Sequence, residues 1–301
     1  MPSLRVVLAC LALSLPQIAS AGTLKELAAG PLSAQQTQWL ASLKSAPMPE
    51  WMGAAENLAT KANTSVLAEL VKLSQEKSDD LRIRAGRVLI KIRAKQSLAV
   101  AMQLALADKS TEVRKAVATD LCADGVADLL KPADLLAEAK QGIADKIDDV
   151  RFAFAMILAK NGDAAATPTL KEMLKHSDHH RRESAAESLA ELGDDSGGAI
   201  LIKMLEYTEK NHPLLVANKD VKKDEASWNN LLRIVDAERI RLCGHIGKLK
   251  LKKAKGALEK LAAAKNPKVA EAAQHALNAL AESAQSVVGN SSAGRTPVFE
   301  R

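Results

Sequence analysis

A short pattern recurs along this chain at intervals near thirty residues, and it limits the possible fold more than any other feature. In most copies an acidic segment precedes a branched apolar residue, an arginine and a helical run. Successive copies lie 32, 37, 31, 59 and 29 residues apart, and 59 is close to two periods. A fixed period in this range predicts a stack of small supersecondary units. The six copies are Leu81-Arg82, Val113-Arg114, Val150-Arg151, Arg181-Arg182, Ile240-Arg241 and Val269-Ala270.

The apolar composition favours helices as the building blocks of this stack. Hydrophobic residues make up 47% of the chain but aromatic residues only 2%, so Ala, Leu, Val and Ile must form the core. Ala and Leu are good helix formers. No stretch shows sustained alternation of apolar and polar residues, which would indicate strands. We therefore expect an all-α fold.

The best copies divide into two helices. In residues 148–175 a helix over 150–160 should end at Asn161-Gly162, because Asn and Gly adopt the left-handed conformation at low cost. A second helix follows, with Leu170, Met173 and Leu174 at helical spacing. The next copy places Gly193 31 residues after Gly162, and residues 247–261 fit the same template.

At these residues the chain resembles the HEAT repeat, particularly the short form seen in bilin-lyase-like proteins. Asp149-Val150-Arg151, Gly162-Asp163 and Gly193-Asp194 match the marks of the family over residues 79–282. Lys250-Leu251 replaces Gly-Asp in a late copy, and Ala270 replaces the last arginine. The resemblance implies an α-solenoid, a right-handed superhelix of six to eight helical hairpins.

Both ends of the chain depart from the repeat. Residues 1–21 have the features of a secretory signal peptide: Arg5, an apolar run over 6–15 that is too short to span a bilayer, and the small-residue site Ala19-Ser20-Ala21. We expect cleavage before Gly22 and a periplasmic or secreted protein. Residues 22–78 should form a helical cap of degenerate repeats, with helices over 35–43, 52–61 and 65–73. Residues 283–301 are polar and aperiodic, which predicts a disordered tail.

One internal segment is irregular. Residues 206–235 fall where the interval doubles, and the sequence predicts a loop-expanded hairpin whose second helix covers about 228–235.

The recurring arginines have two interpretations. They could form a row of anion-binding groups. We favour a structural ladder in which each arginine pairs with an acidic residue near the start of its own or a neighbouring hairpin. Arginine suits this role because its planar guanidinium can form two parallel hydrogen bonds with one carboxylate. The ladder comprises Arg82, Arg114, Arg151, Arg182 and Arg241, with Asp149 among its carboxylates.

His176, His179 and His180 form the one histidine-dense segment, with Asp178 between them. Such groups can hold zinc or another divalent ion. Because they straddle a turn and no further ligand can be named from the sequence, we interpret them as a solvated turn and predict no metal site. The chain has no His-Glu pair of the kind that holds iron in deoxyhypusine hydroxylase, a HEAT-type enzyme.

Positive charge is concentrated in residues 207–270, which hold 15 basic and 7 acidic residues, a net charge of +8. Its densest part is a candidate docking site for an anionic partner: an acidic protein, the headgroups of an anionic membrane surface, or nucleic acid. The alternative is a solvated face that keeps the repeats soluble. The lysines concerned are Lys248, Lys250, Lys252, Lys253 and Lys255.

The remaining features exclude several classes of function. Cys122 and Cys243 are expected to be buried free thiols, and no paired-cysteine motif is present. Motifs for metalloproteases, serine hydrolases and nucleotide binding are also absent. Few, scattered aromatics and the export signal argue against nucleic acid.

We expect an exported, non-enzymatic scaffold or adaptor without a cofactor, which binds a protein partner through the concave surface of the second helices. The alternatives are a bilin-lyase-like enzyme or a metal-dependent enzyme.

Overall fold

The computed structural model describes residues 26–122, 126–131 and 133–292, and in this part of the chain it contains helices and no strands. The all-α prediction is therefore confirmed. The expected signal peptide lies outside the described residues. The helices are α1 Ala34–Ser45, α2 Glu50–Thr60, α3 Thr64–Leu73, α4 Asp79–Ile92, α5 Lys95–Ala107, α6 Thr111–Leu121, α7 Ala133–Gly142, α8 Asp148–Lys160, α9 Thr167–Met173, α10 His179–Glu191, α11 Gly198–Leu205, α12 Pro213–Ala217, α13 Glu225–Lys248, α14 Lys255–Leu261 and α15 Pro267–Ser292.

From residue 79 onward the helices follow one another as antiparallel hairpins, which is the arrangement that the period predicts. In each hairpin the recurring arginine lies on the first helix, and in α4 with α5 and in α10 with α11 the two helices pack against each other. The pairs are α4 with α5, α6 with α7, α8 with α9, α10 with α11, and α13 with α14. Helices α1, α2 and α3 precede the array, within two residues of the bounds expected for the cap.

The turn inside a hairpin has the same backbone geometry in three copies. Gly162, Gly193 and Lys250 adopt positive φ angles of 74°, 81° and 52°. The residue after each donates its N–H to the carbonyl oxygen five residues earlier, at 2.9, 2.9 and 3.1 Å. This bonding satisfies carbonyl groups at the helix end. The turn therefore survives the replacement of glycine by lysine in the third copy.

The chain forms two compact units, which divide between Thr169 and Leu170. Side chains of the first unit that are fully buried include Leu89, Leu98 and Phe154. In the second unit Leu201, Leu242 and Leu258 have no exposed surface. Each core is built almost entirely from aliphatic side chains and alanine, as the composition requires.

The irregular segment differs from its prediction. A short helix α12 and a 3-10 turn, Lys219–Lys223, are followed by one helix of 24 residues, α13. It covers both the expected second helix over 228–235 and the first helix of the following hairpin, so the predicted break between them is wrong. No glycine or proline lies between Glu225 and Arg241, and this stretch continues the helical apolar spacing, so nothing in it stops a helix once formed.

The last helix also extends beyond its prediction. Helix α15 reaches Ser292, ten residues into the segment for which disorder is expected. Residues 283–292 contain no proline, so a helix that begins at Pro267 can propagate through them. Residues 293–301 lie outside the described residues.

Candidate functional site

Arg82 shows how the recurring arginines are held. Its side chain is 3% exposed. It donates to both carboxylate oxygens of Asp108, at 2.8 and 2.9 Å, and to Asp79 at 2.8 Å. It also donates to the carbonyl oxygens of Glu76 and Lys77, at 2.8 and 3.1 Å. The hydrogen bond with Asp108 raises the pKa of Arg82. All five guanidinium N–H groups are thus used inside the protein, and Asp108 ties this hairpin to the next.

Four of the arginines share one backbone contact. In each, Nη1 donates to the carbonyl oxygen six residues earlier, in the turn before its own helix. The distances are 2.8 Å for Arg82, 2.8 Å for Arg114, 3.3 Å for Arg151 and 2.6 Å for Arg182. This regular contact explains why arginine recurs at that place, because a long side chain with several donors can cap a turn and pair with a carboxylate together.

The carboxylate partners of the ladder vary from copy to copy. Arg114 pairs with Asp145 of the next turn at 3.2 Å. Arg151 forms an ion pair with Asp148 at 2.8 Å, and Asp149 forms one with Lys115 at 3.1 Å. The proposed carboxylate Asp149 therefore serves a lysine of the preceding hairpin.

Arg241 lies differently from the other four. Six residues before it the chain is inside α13, so no turn carbonyl is available. Arg241 instead bridges to α10, where it contacts both carboxylate oxygens of Glu187 at 2.5 and 3.2 Å. Arg239 makes the equivalent contacts in its place: it forms an ion pair with Asp236 at 3.2 Å and donates to the carbonyl oxygen of Tyr207 at 3.2 Å. The long helix shifts the register of the repeat by two residues, and the sequence pattern missed this shift.

A second ladder of lysine and aspartate joins neighbouring hairpins. Lys140 contacts Asp163 at 2.7 Å, and Lys171 contacts Asp194 at 2.8 Å, each pair linking a second helix to the Gly-Asp turn of the following hairpin. The hydrogen bond from Lys171, with help from Ser196, lowers the pKa of Asp194 to about 2.

We call this lysine–aspartate pair the tether. In the next hairpin both of its members are replaced by apolar residues. The equivalent positions are Ile202, 31 residues after Lys171, and Leu251, which follows the positive-φ residue as Asp163 and Asp194 do. Ile202 and Leu251 pack against the core of the second compact unit. This turn therefore has no carboxylate where the two preceding turns have one.

The basic cluster predicted from the sequence surrounds this turn, and we call it the basic turn: Lys248, Lys250, Lys252, Lys253 and Lys255. All five residues are exposed. Lys248 donates to the carbonyl oxygen of Glu191 at 2.9 Å, and Lys255 lies 3.8 Å from Glu259. Within the described part of the chain, no carboxylate forms an ion pair with Lys250, Lys252 or Lys253. The central part of the basic turn therefore carries positive charge that no ion pair of the described residues compensates.

The histidine segment is organised by its own backbone. Nδ1 of His176 accepts the N–H of Asp178 at 3.0 Å, and Asp178 accepts the N–H of His180 at 2.9 Å. Asp178 therefore caps α10, as an N-cap aspartate does. The potential ligand atoms of His179, His180 and Glu183 lie within 4.8 Å of one another. Glu183 was not part of the group predicted from the sequence.

The sequence pattern does not predict several polar contacts between α10 and α13. The hydroxyl of Tyr207 donates to Glu183 at 2.6 Å, and burial with this bond raises the pKa of Tyr207 to about 12. His212 is buried and faces Glu238 at 3.4 Å. Burial raises the pKa of Glu187 despite its pairing with Arg241. The four-residue spacing of Glu183, Glu187 and Glu191 was the one available signal, since it places them on one face of a helix.

The two described cysteines form no disulfide. Cys243 is fully buried, and burial raises its pKa to about 11. Cys122 is only partly buried, which differs from the prediction that both thiols are buried. It ends α6 at the C-cap, where a helix end meets solvent.

A family model of HEAT repeats matches residues 133–211, which include the two best copies of the pattern. No curated protein matches the sequence. Among solved structures, the E. coli protein YIBA is 16% identical, over 83% of this chain and 93% of that chain, with a TM-score of 0.49.

Two further structures cover most of this chain. The complex of CpcE and CpcF of phycocyanin lyase from Nostoc sp. PCC7120 is 18% identical, over 88% of this chain and 100% of that chain, with a TM-score of 0.47. The HEAT-like repeats protein from Thermococcus onnurineus NA1 is 14% identical, over 84% and 99%, with a TM-score of 0.43. The succession of helical hairpins, together with the family match over residues 133–211, is that of a HEAT-like α-solenoid.

Among the described helices, none combines the length and the apolar character needed to cross a membrane.

Proposed function

We propose that this chain is an exported, non-enzymatic scaffold or adaptor that binds an acidic protein partner, and that the basic turn is its contact surface. The signal-like features of residues 1–21 support export. The HEAT-like repeats support a binding role, since stacked hairpins offer an extended surface to a partner.

The observation that carries the proposal is the loss of the lysine–aspartate tether at one step of the array. At Asp163 and Asp194 each turn neutralises a lysine of the preceding hairpin. At the basic turn Leu251 replaces the aspartate, Ile202 replaces the lysine, and Lys250 replaces the glycine. The structure of the turn is retained while its charge changes from balanced to positive.

This change has an energetic cost that folding alone does not require. A residue other than glycine in the left-handed region costs roughly 1–2 kcal/mol. Lys250 lies in this region, with a φ of 52°. It also lies among four other exposed lysines, whose positive charges repel it. A partner with clustered carboxylates would offset the repulsion, and the positive field would speed its encounter.

A defined acidic probe tests the electrostatic part of the proposal. A labelled poly-glutamate peptide should bind the mature protein in fluorescence anisotropy, with an affinity that falls steeply as salt rises. The triple variant Lys250→Gln, Lys252→Gln, Lys253→Gln should lose at least about tenfold in affinity. The matched control Lys44→Gln, Lys61→Gln, Lys77→Gln removes the same charge from exposed sites of the first compact unit and should lose less than about twofold.

Equal losses in the two variants would contradict a local docking surface. Tighter binding to phosphatidylglycerol vesicles than to the acidic peptide would replace the protein partner with a membrane surface. Export is tested separately by fractionation and N-terminal sequencing, for which we expect a periplasmic or secreted protein that begins at Gly22.

A further inference from the structure

The first turns of α10 bring together three side chains with metal-binding groups. His179 and His180 are the first two residues of the helix, and Glu183 follows one turn later. Their potential ligand atoms all lie within 4.8 Å of one another. The two imidazole rings lie with their centroids 3.9 Å apart, and Nδ1 of His180 is 4.0 Å from Oε2 of Glu183. Around a tetrahedral zinc ion, ligand atoms about 2.0–2.2 Å from the metal are roughly 3.3–3.6 Å apart. Small rotations of the exposed imidazoles would bring the three ligand atoms to these distances.

The carboxylate of this group is already held in place. The side chain of Glu183 is only 14% exposed, and its Oε1 accepts the hydroxyl proton of Tyr207 at 2.6 Å. This bond leaves Oε2, the oxygen nearer His180, available for a metal. A hydrogen bond from outside the ligand set that orients a ligating carboxylate is typical of protein metal sites. Glu183 and Tyr207 are 24 residues apart, so the fold creates this arrangement.

The neighbouring polar groups are engaged elsewhere. His176 and Asp178 each accept a backbone N–H of the turn, at 3.0 and 2.9 Å. Arg182 donates to the carbonyl oxygens of His176 and Ser177, both at 2.6 Å, so its charge is held on the turn. The positive end of the helix dipole opposes a cation here, and the Glu183 carboxylate supplies the compensating charge.

We propose that His179, His180 and Glu183 bind a divalent transition metal ion, with zinc as the first choice and water completing its coordination. Two imidazoles and one carboxylate favour zinc and its neighbours over magnesium or calcium, which prefer oxygen ligands alone. The site is independent of the basic turn and of any partner.

Isothermal titration of the tag-free mature protein with zinc chloride tests the proposal, and Co²⁺ absorbance reports the geometry. We expect one equivalent of zinc at this site. His180→Ala and Glu183→Gln should each weaken binding at least tenfold, because each removes a ligand. Tyr207→Phe should weaken it about tenfold by freeing the carboxylate, which is the effect of losing an orienting hydrogen bond. His180 is 67% exposed, so its substitution leaves the fold intact.

Two histidines outside the ligand set provide matched controls. His176→Ala and His275→Ala should bind zinc as the wild type does, because neither belongs to the group. The proposal is overturned if the wild type takes up no stoichiometric zinc or cobalt. It is equally overturned if the double variant His179→Ala, His180→Ala binds zinc as tightly as the wild type.

Discussion

At the scale of single residues, the same place in the repeat carries arginines with different energetic roles. Arg82 is almost completely buried with Asp108, whose side chain is 5% exposed. Arg241 also meets a carboxylate through two contacts, but its side chain is 48% exposed. Removing one partner of a buried pair leaves the other charge without compensation, whereas exposed pairs contribute little.

Substitution of these two arginines by methionine should separate the roles. Arg82→Met is expected to lower the free energy of unfolding by about 3–5 kcal/mol, since Asp108 stays buried without its partner. Arg241→Met should cost about 1 kcal/mol or less. Urea denaturation of the two variants measures the difference. Equal and small losses would show that the ladder does not stabilise the fold.

The two cysteines should differ in reactivity for a related reason. Cys243 has no exposed surface and a pKa of about 11, so its reactive thiolate is scarce and shielded at neutral pH. Cys122 is partly exposed at the end of α6. A maleimide reagent at pH 7.5 should label Cys122 first in the native protein and both thiols after unfolding. Rapid native labelling at Cys243, located by peptide mass spectrometry, would contradict the buried core described for the second compact unit.

At the scale of elements, the turn within a hairpin is the clearest test of local conformation. Lys250 has a φ of 52° where the equivalent Gly162 and Gly193 have 74° and 81°. Lys250→Gly should raise the free energy of unfolding by roughly 0.5–1 kcal/mol, because relief of the left-handed strain exceeds the added freedom of the unfolded chain. Gly193→Ala, its reciprocal control, should lower it by about 1 kcal/mol. Thermal and urea unfolding would show both. A stability loss in Lys250→Gly would mean that the lysine contributes to the fold.

The lysine–aspartate tether should give a defined dependence on pH. Lys171 and Ser196 hold the pKa of Asp194 at about 2, below the ordinary value of 3.8. The folded state therefore binds this proton less tightly than the unfolded state. The stabilisation is complete above about pH 4 and is lost as the pH falls through about 2. Asp194→Asn should flatten the decline of unfolding free energy in this window, and Lys171→Met should flatten it too. A wild-type slope in Asp194→Asn would show that the ion pair does not form in solution.

At the scale of the whole molecule, the sequence predicted what is local and periodic. The arginine interval, the glycine turns and the alanine-rich runs each depend on neighbours a few residues away, so the hairpins of α8 with α9 and α10 with α11 could be placed from the sequence. The continuous helix α13 could not, because the pattern of a new hairpin begins at Ile240 without a residue that stops the preceding helix.

The candidate sites divide in the same way. The basic turn was visible because its lysines are adjacent in the chain. The contact of Glu183 with Tyr207 and the bridge from Arg241 to Glu187 span 24 and 54 residues, and no periodic signal reports such pairs. The loss of the tether at Ile202 and Leu251 became interpretable only when the structure showed what Lys171 and Asp194 do at the preceding step.

The central claim, an exported scaffold that docks an acidic protein on the basic turn, is tested most directly by quantitative affinity capture from the compartment where the mature chain is found. Three baits are compared: the wild type, the Lys250, Lys252 and Lys253 glutamine variant, and the control variant at Lys44, Lys61 and Lys77. We predict an acidic protein that is enriched by the wild type and the control, is lost with the basic-turn variant, and then binds the purified wild type in a salt-dependent manner. A partner that is retained equally by all three baits would contradict the account.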